Sequence, residues 1–126
     1  MAWLSDTTGS PSSRFTRATV PYVLVNGATV AANWTALTSG TLAHAIDLSE
    51  TGGPPGHTQV WSHTLPDGTA GGVQAAGHCE NWTSNSAAPA PAGDTGLATA
   101  TTESWTKFSN HTCSDDFRRL YCFQQR

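Results

Sequence analysis

Five histidines, nine acidic side chains and three cysteines are the groups in this chain with the most chemical potential. Ser62-His63, followed closely by Asp67, supplies the residue types of a nucleophile, a base and an orienting carboxylate. A serine nucleophile is usually presented on a sharp elbow such as G-x-S-x-G, and the sequence contains none. Serine is common here, so coincidence accounts for the set. A secreted hydrolase using His63 and Asp67 beside Trp61 is therefore the alternative reading. Asp115-Asp116 could act as paired carboxylates, but neighbours on a strand point to opposite faces. Solvation, or pairing with Arg118 and Arg119, explains them better. The chain is expected not to be an enzyme and to have no catalytic residue.

The cysteines raise a second chemistry. His78-Cys79, His111-x-Cys113 and Cys122 carry zinc-type ligands, but structural zinc draws on close pairs such as C-x₂-C, and none occurs. A disulfide is the better reading, and no metal or cofactor is expected. A bridge between Cys79 and Cys113 would enclose a long, loop-like span and contribute roughly 4 kcal/mol in the chain-entropy model. Cys122 lies in the apolar run Leu120-Tyr121-Cys122-Phe123, where a bridge would anchor the chain end. An odd count leaves one thiol whose partner lies elsewhere. Gly52-Gly53 and Gly71-Gly72 lack the lysine and helix context of a phosphate cradle, and basic residues are few. No nucleic-acid partner is expected.

The elements that position these groups must come from 126 residues, enough for one domain, 1–126, with a modest core. Only 12% of residues are charged and the net charge is −3, which describes neither a basic nucleic-acid binder nor a charged disordered tail. Aliphatic bulk is thin. Trp3, Trp34, Trp61, Trp82 and Trp105, with Leu120 and Tyr121, are the expected core, since a large aromatic buries on the order of 150–250 Å². Asn33, Asn81 and Asn110 each begin an N-x-[ST] match, which a threonine-rich chain produces readily by chance.

Along the chain, Val20–Val25, Asn26-Gly27 and Ala28–Ala32 read as a hairpin. Asn33 is placed to cap a short helix through Trp34 and Leu37, ended by Gly40. Thr51–Gly56 is a loop, Gln59–Ser62 a short core strand and Pro66–Thr69 a turn. His78–Trp82 reads as a short strand or turn. Ser84–Thr95, with Pro89 and Pro91, is expected to be an exposed loop, and Leu120–Gln124 a closing strand. Many short strands and long loops predict an α+β, mostly antiparallel β domain. No apolar run approaches the roughly 20 residues of a membrane span. Met1–Asp6 has no basic n-region or apolar h-region, so it is not a signal peptide. The expectation is that an export signal and front end precede this chain.

The ordered set Ala-Trp-Leu-Ser, Val-Pro-Tyr-Val, Asn-Trp-x-Ala-Leu-x-Ser-Gly, Val-Trp-Ser-x-Thr-x-Pro-Asp-Gly, Cys-x-Asn-Trp and Leu-Tyr-Cys-Phe resembles the endostatin domain. That family belongs to the C-type lectin-like superfamily. The chain resembles still more closely a group of uncharacterised bacterial endostatin-like domains found in exported or surface proteins. The resemblance runs from Trp3 to Phe123. It implies twisted antiparallel strands with long loops, and two bridges. By motif position Cys79 and Cys113 match the inner pair. Cys122 matches a cysteine whose family partner lies in an upstream helix, so the resemblance implies a chain lacking the first strand and main helix, with Cys122 unpaired.

Family activities transfer poorly. The zinc ligands of endostatin lie mostly upstream of the matched region, and its arginine-rich heparin face has no match in this acidic chain. The Glu-Pro-Asn, Gln-Pro-Asp and Trp-Asn-Asp motifs of calcium-dependent lectins are absent. What remains is a secreted or surface-displayed, non-catalytic binding module with an extracellular glycan, matrix polymer or protein as ligand. Its surface is expected on loops Gly52–Thr58, Leu65–Gly77 and Ser84–Thr95. The upstream segment of its parent protein is the other expected partner. A purely structural domain of a larger surface protein is a further alternative.

Overall fold

A computed structural model describes residues 1–125. The elements run α1 (Pro11–Arg14), β1 (Tyr22–Val23), β2 (Thr29–Ala31), α2 (Trp34–Leu37), β3 (Gln59–Trp61), β4 (Ala92–Leu97), a 3₁₀ turn (Glu103–Trp105) and β5 (Ser109–Thr112). Both sheets are antiparallel: β1 pairs with β2, and β4 lies between β3 and β5. Short helices and antiparallel strands joined by long loops match the α+β expectation at that coarse level.

Local chemistry explains several elements. The Asn26 carboxamide accepts from Ala28 N at 3.0 Å, and Gly27 adopts φ +89°, so Asn-Gly turns the chain from β1 into β2. Asn33 Oδ1 accepts from Ala36 N at 2.9 Å and caps α2. Asp67 closes its own turn by accepting from Thr69 N at 2.9 Å and from the Thr69 hydroxyl at 2.6 Å.

Trp3 is the hub of the core. Its ring centre is 4.8 Å from Trp105, 5.8 Å from Phe15, 5.9 Å from Phe123 and 6.2 Å from Trp34. Leu24, Val30, Leu37, Leu42, Val60 and Tyr121 complete this cluster. The tyrosine hydroxyl donates to Trp105 O at 2.9 Å, and burial raises its pKa far above the usual value. Of the expected core residues, Trp3 and Trp105 are fully buried and Trp34 and Tyr121 buried, whereas Trp61 and Trp82 are half-buried. Leu120 is corrected: it is 45% exposed, because Tyr121 and Phe123, on the other side of an extended segment, take the inward positions.

A further expectation is corrected. Residues 92–95 are not exposed loop but part of the buried central strand. Small residues are required there: a Cβ on Gly93 would meet the Trp61 ring and Cys79 Sγ, and one on Gly96 would strike the Trp105 carbonyl. The low apolar content that suggested a loop is what lets both faces of β4 be covered closely. The closing segment pairs with the first residues of the chain through an isolated bridge rather than a full strand. Trp3 N donates to Tyr121 O at 2.9 Å, Phe123 N donates to Met1 O at 2.8 Å, and Ala2 bridges to Cys122.

Candidate functional site

Strand β3 leads directly into the residues singled out for hydrolase chemistry. Ser62 and Thr64 are fully buried and wired into the core. The Trp3 indole N–H donates to Thr106 Oγ1 at 2.7 Å, and that hydroxyl donates to Thr64 O at 2.7 Å. Thr106 Oγ1 therefore accepts from the Ser62 hydroxyl, at 2.8 Å. The Ser62 proton is committed to holding layers together, not offered to a base.

His63 does have a carboxylate partner, but it is not Asp67. Its Nδ1 lies 2.7 Å from Asp94 Oδ2, and both side chains are almost completely buried. Asp67 is spent on its own turn, where those hydrogen bonds hold its pKa below the usual carboxylate value. The sequence put the wrong acid with His63, because Asp94 arrives from a strand that read as loop. Gln74 N donates to Asp94 Oδ1 at 3.1 Å, and a Cβ on Gly72 or Gly77 would collide with the carboxylate. The loop 71–78 is thus folded down over Asp94. Loop Leu65–Gly77, expected as part of the binding surface, is held against Asp94 along this stretch.

His78 packs edge-on against His63, with ring centres 5.2 Å apart, and opens an unusual stretch. Cys79, Glu80, Asn81 and Trp82 all have positive φ, from 48° to 62°. Each non-glycine residue in this conformation costs roughly 1–2 kcal/mol, so something must hold the left-handed turn. His78 Nδ1 accepts from Asn81 N at 2.9 Å at its start. The Asn81 carboxamide grips Thr7, accepting from its N at 3.1 Å and donating to its hydroxyl at 2.7 Å. The Trp82 indole N–H donates to Ser5 O at 2.9 Å. Finally, Cys79 is bonded to Cys113, the pairing that the resemblance implied. The sulfurs are thereby joined to each other rather than free as zinc ligands. Cys122 is a free, exposed thiol opening onto a separate apolar groove of about 430 Å³ between residues 16–24 and 122–125.

The left-handed turn has a consequence at the surface. It brings Trp82 beside Trp61, ring centres 5.7 Å apart and tilted by 53°, so that the two half-buried indoles form a corner. That corner, the disulfide, Leu4 and Leu120 line a recess of about 250 Å³, with Ser84, Asp115 and Asp116 at its rim. Arg118 lies 5.9 Å from the Trp61 ring centre and bonds Asp115 Oδ2 at 3.0 Å. Below this corner, His111 Nε2 lies 2.7 Å from Gln59 Oε1, which also accepts from Thr95 Oγ1 at 2.9 Å. Burial, reinforced by the Arg118 charge and opposed by Asp115, holds the His111 pKa below its usual value.

Recess and tryptophan corner were missed as a site, since each tryptophan was assigned to the core. The signal available was Cys79-Glu80-Asn81-Trp82, which ties one tryptophan to a staple. Asn110 lies in β5, and Asn33 and Asn81 have the structural duties described above.

The chain matches no family model, no curated protein and no solved structure. Among the described residues no helix is long and apolar enough to cross a membrane. The disulfide is compatible with an extracellular location.

Proposed function

We propose that this chain is a non-catalytic ligand-binding module, secreted or displayed on a cell surface, and related to endostatin-like domains of the C-type lectin-like superfamily. One observation carries the reading: two tryptophans are left only half-buried, side by side, in a recess built on a covalent staple. Buried aromatic area is scarce in this chain, so leaving part of two indoles in contact with water costs stability that full burial would recover. Rigid aromatic faces with acceptors at the rim are the usual construction of a binding surface. Supporting it, the hydroxyl and carboxylate expected to act with His63 are both engaged elsewhere, Ser62 with Thr106 and Asp67 with Thr69.

Retention on immobilised glycans, matrix polymers and cell-surface protein tests this. The intact chain should be retained by one of them, and Trp61→Ala and Trp82→Ala should each lose at least about ten-fold in affinity, the usual effect of removing an aromatic anchor. Equal retention of both variants, with their folds verified by melting, would remove the recess from the reading. No retention on any surface would remove the module itself.

A further inference from the structure

The recess has a chemical bias beyond its shape. Its two aromatic walls present electron-rich faces, and its rim carries Asp115 and Asp116. Asp115 is occupied by Arg118, while exposed Asp116 has no ion pair among the described residues. The protein already packs one cation in this corner, since the Arg118 guanidinium lies 5.1 Å from the Phe117 ring centre and 5.9 Å from that of Trp61, and bonds Asp115. An indole face and a carboxylate both attract positive charge, and together they repel sulfate or phosphate groups. Ionised carboxylates only accept hydrogen bonds, so Asp115 and Asp116 favour a ligand that brings donors or positive charge.

We propose that the recess binds an organic ammonium group, seated against Trp61 and Trp82 with Asp116 as its counter-charge. This inference rests on the ligand-binding reading above and names the chemistry of its ligand. The group is shared by two sources, a quaternary ammonium head and the primary ammonium of a lysine side chain.

Titration of the ¹⁵N-labelled chain with choline, with N-acetyl-lysine amide and with the uncharged carbon isostere of choline tests it, reading the indole N–H resonances. Trp61 and Trp82 should shift saturably with at least one ammonium probe and stay in place with the isostere. Asp116→Asn, a surface change that leaves the fold intact, should weaken binding about five-fold, and so should raising the salt. Saturation by choline alone assigns the quaternary source, and saturation by the lysine amide alone assigns the primary one. Saturation by both assigns the shared group. If neither probe saturates, or the isostere matches choline, the ammonium assignment is overturned. The module reading fails separately, if no surface retains the chain, whereas retention that survives Trp61→Ala and Trp82→Ala removes the recess from it.

Discussion

Trp3 and Trp82 show one residue type used in two opposite ways. Trp3 is fully buried, touches aromatic rings on several sides and gives its N–H to a hydroxyl that links three segments. Trp82 is half-buried and sits on a backbone in the left-handed region, its indole fixed by a hydrogen bond to Ser5 O and its turn by a neighbouring disulfide. Around Trp3, stability comes from area removed from water, and the backbone is relaxed. Around Trp82 the backbone is strained and the covalent link carries the load. A chain poor in aliphatic bulk has thus concentrated its apolar area in one half and used a staple to shape the other.

The largest effect that could break this contrast is truncation at the hub. Trp3→Ala should cost about 3–5 kcal/mol, the range for an aromatic removed from a packed core. Trp82→Ala removes less buried area and leaves the left-handed backbone as it is, so it should cost about 1–2 kcal/mol. Urea denaturation of the two variants compares them directly. Equal losses would show that the tryptophan corner is core after all, and that its exposure is incidental.

Next in size is the staple. Replacing Cys79 and Cys113 together by serine should cost about 2–4 kcal/mol, the usual range for a native bridge. The contrast makes a sharper statement about where the loss appears. Amide exchange should accelerate first at Trp82, Thr83 and Ser84, whose N–H groups close the left-handed turn onto His78 O and Cys79 O. Amides of Trp3 and Phe123, which donate to Tyr121 O and Met1 O, should keep their protection until global unfolding. Uniform acceleration across both regions would mean that the staple supports the whole fold rather than one half.

Legibility in the sequence divides along the same line. The hairpin turn at Asn26-Gly27, the Asn33 cap and the Asp67 turn were readable, because each depends on a side chain acting on its own backbone a few residues away. The burial of Trp3, Trp34 and Trp105 followed from the scarcity of other apolar bulk. Strand β4 was not readable: Ala92, Gly93, Thr95 and Gly96 carry no hydrophobic period, and their burial depends on Trp61, Cys79 and Trp105 arriving from far along the chain. The His63–Asp94 pair was hidden for the same reason. Nor could four consecutive positive φ values be expected of Cys-Glu-Asn-Trp, since none of these residues is glycine and the restraints that hold them are tertiary.

The smallest expected effect tests the junction of the two regions, on the sheet face below the tryptophan corner. His111 reaches Gln59 there, and burial lowers its pKa from the usual 6.5. A histidine whose folded pKa is depressed binds its proton more readily in the unfolded chain, so acid favours unfolding. Its contribution is complete above about pH 6.5 and is lost as pH falls from there towards the folded pKa. The Asx carboxylates Asp6 and Asp67 are also lowered, but from 3.8, so their losses begin only in stronger acid. Unfolding free energy measured from pH 7.5 to 5 should therefore fall more steeply in the wild type than in His111→Gln, by less than one proton's worth of slope. The other histidines contribute equally to both proteins and cancel in the difference. Parallel profiles would mean that the β5 face is open to water, and that the desolvated surface stops at the aromatic core rather than extending beneath Trp61.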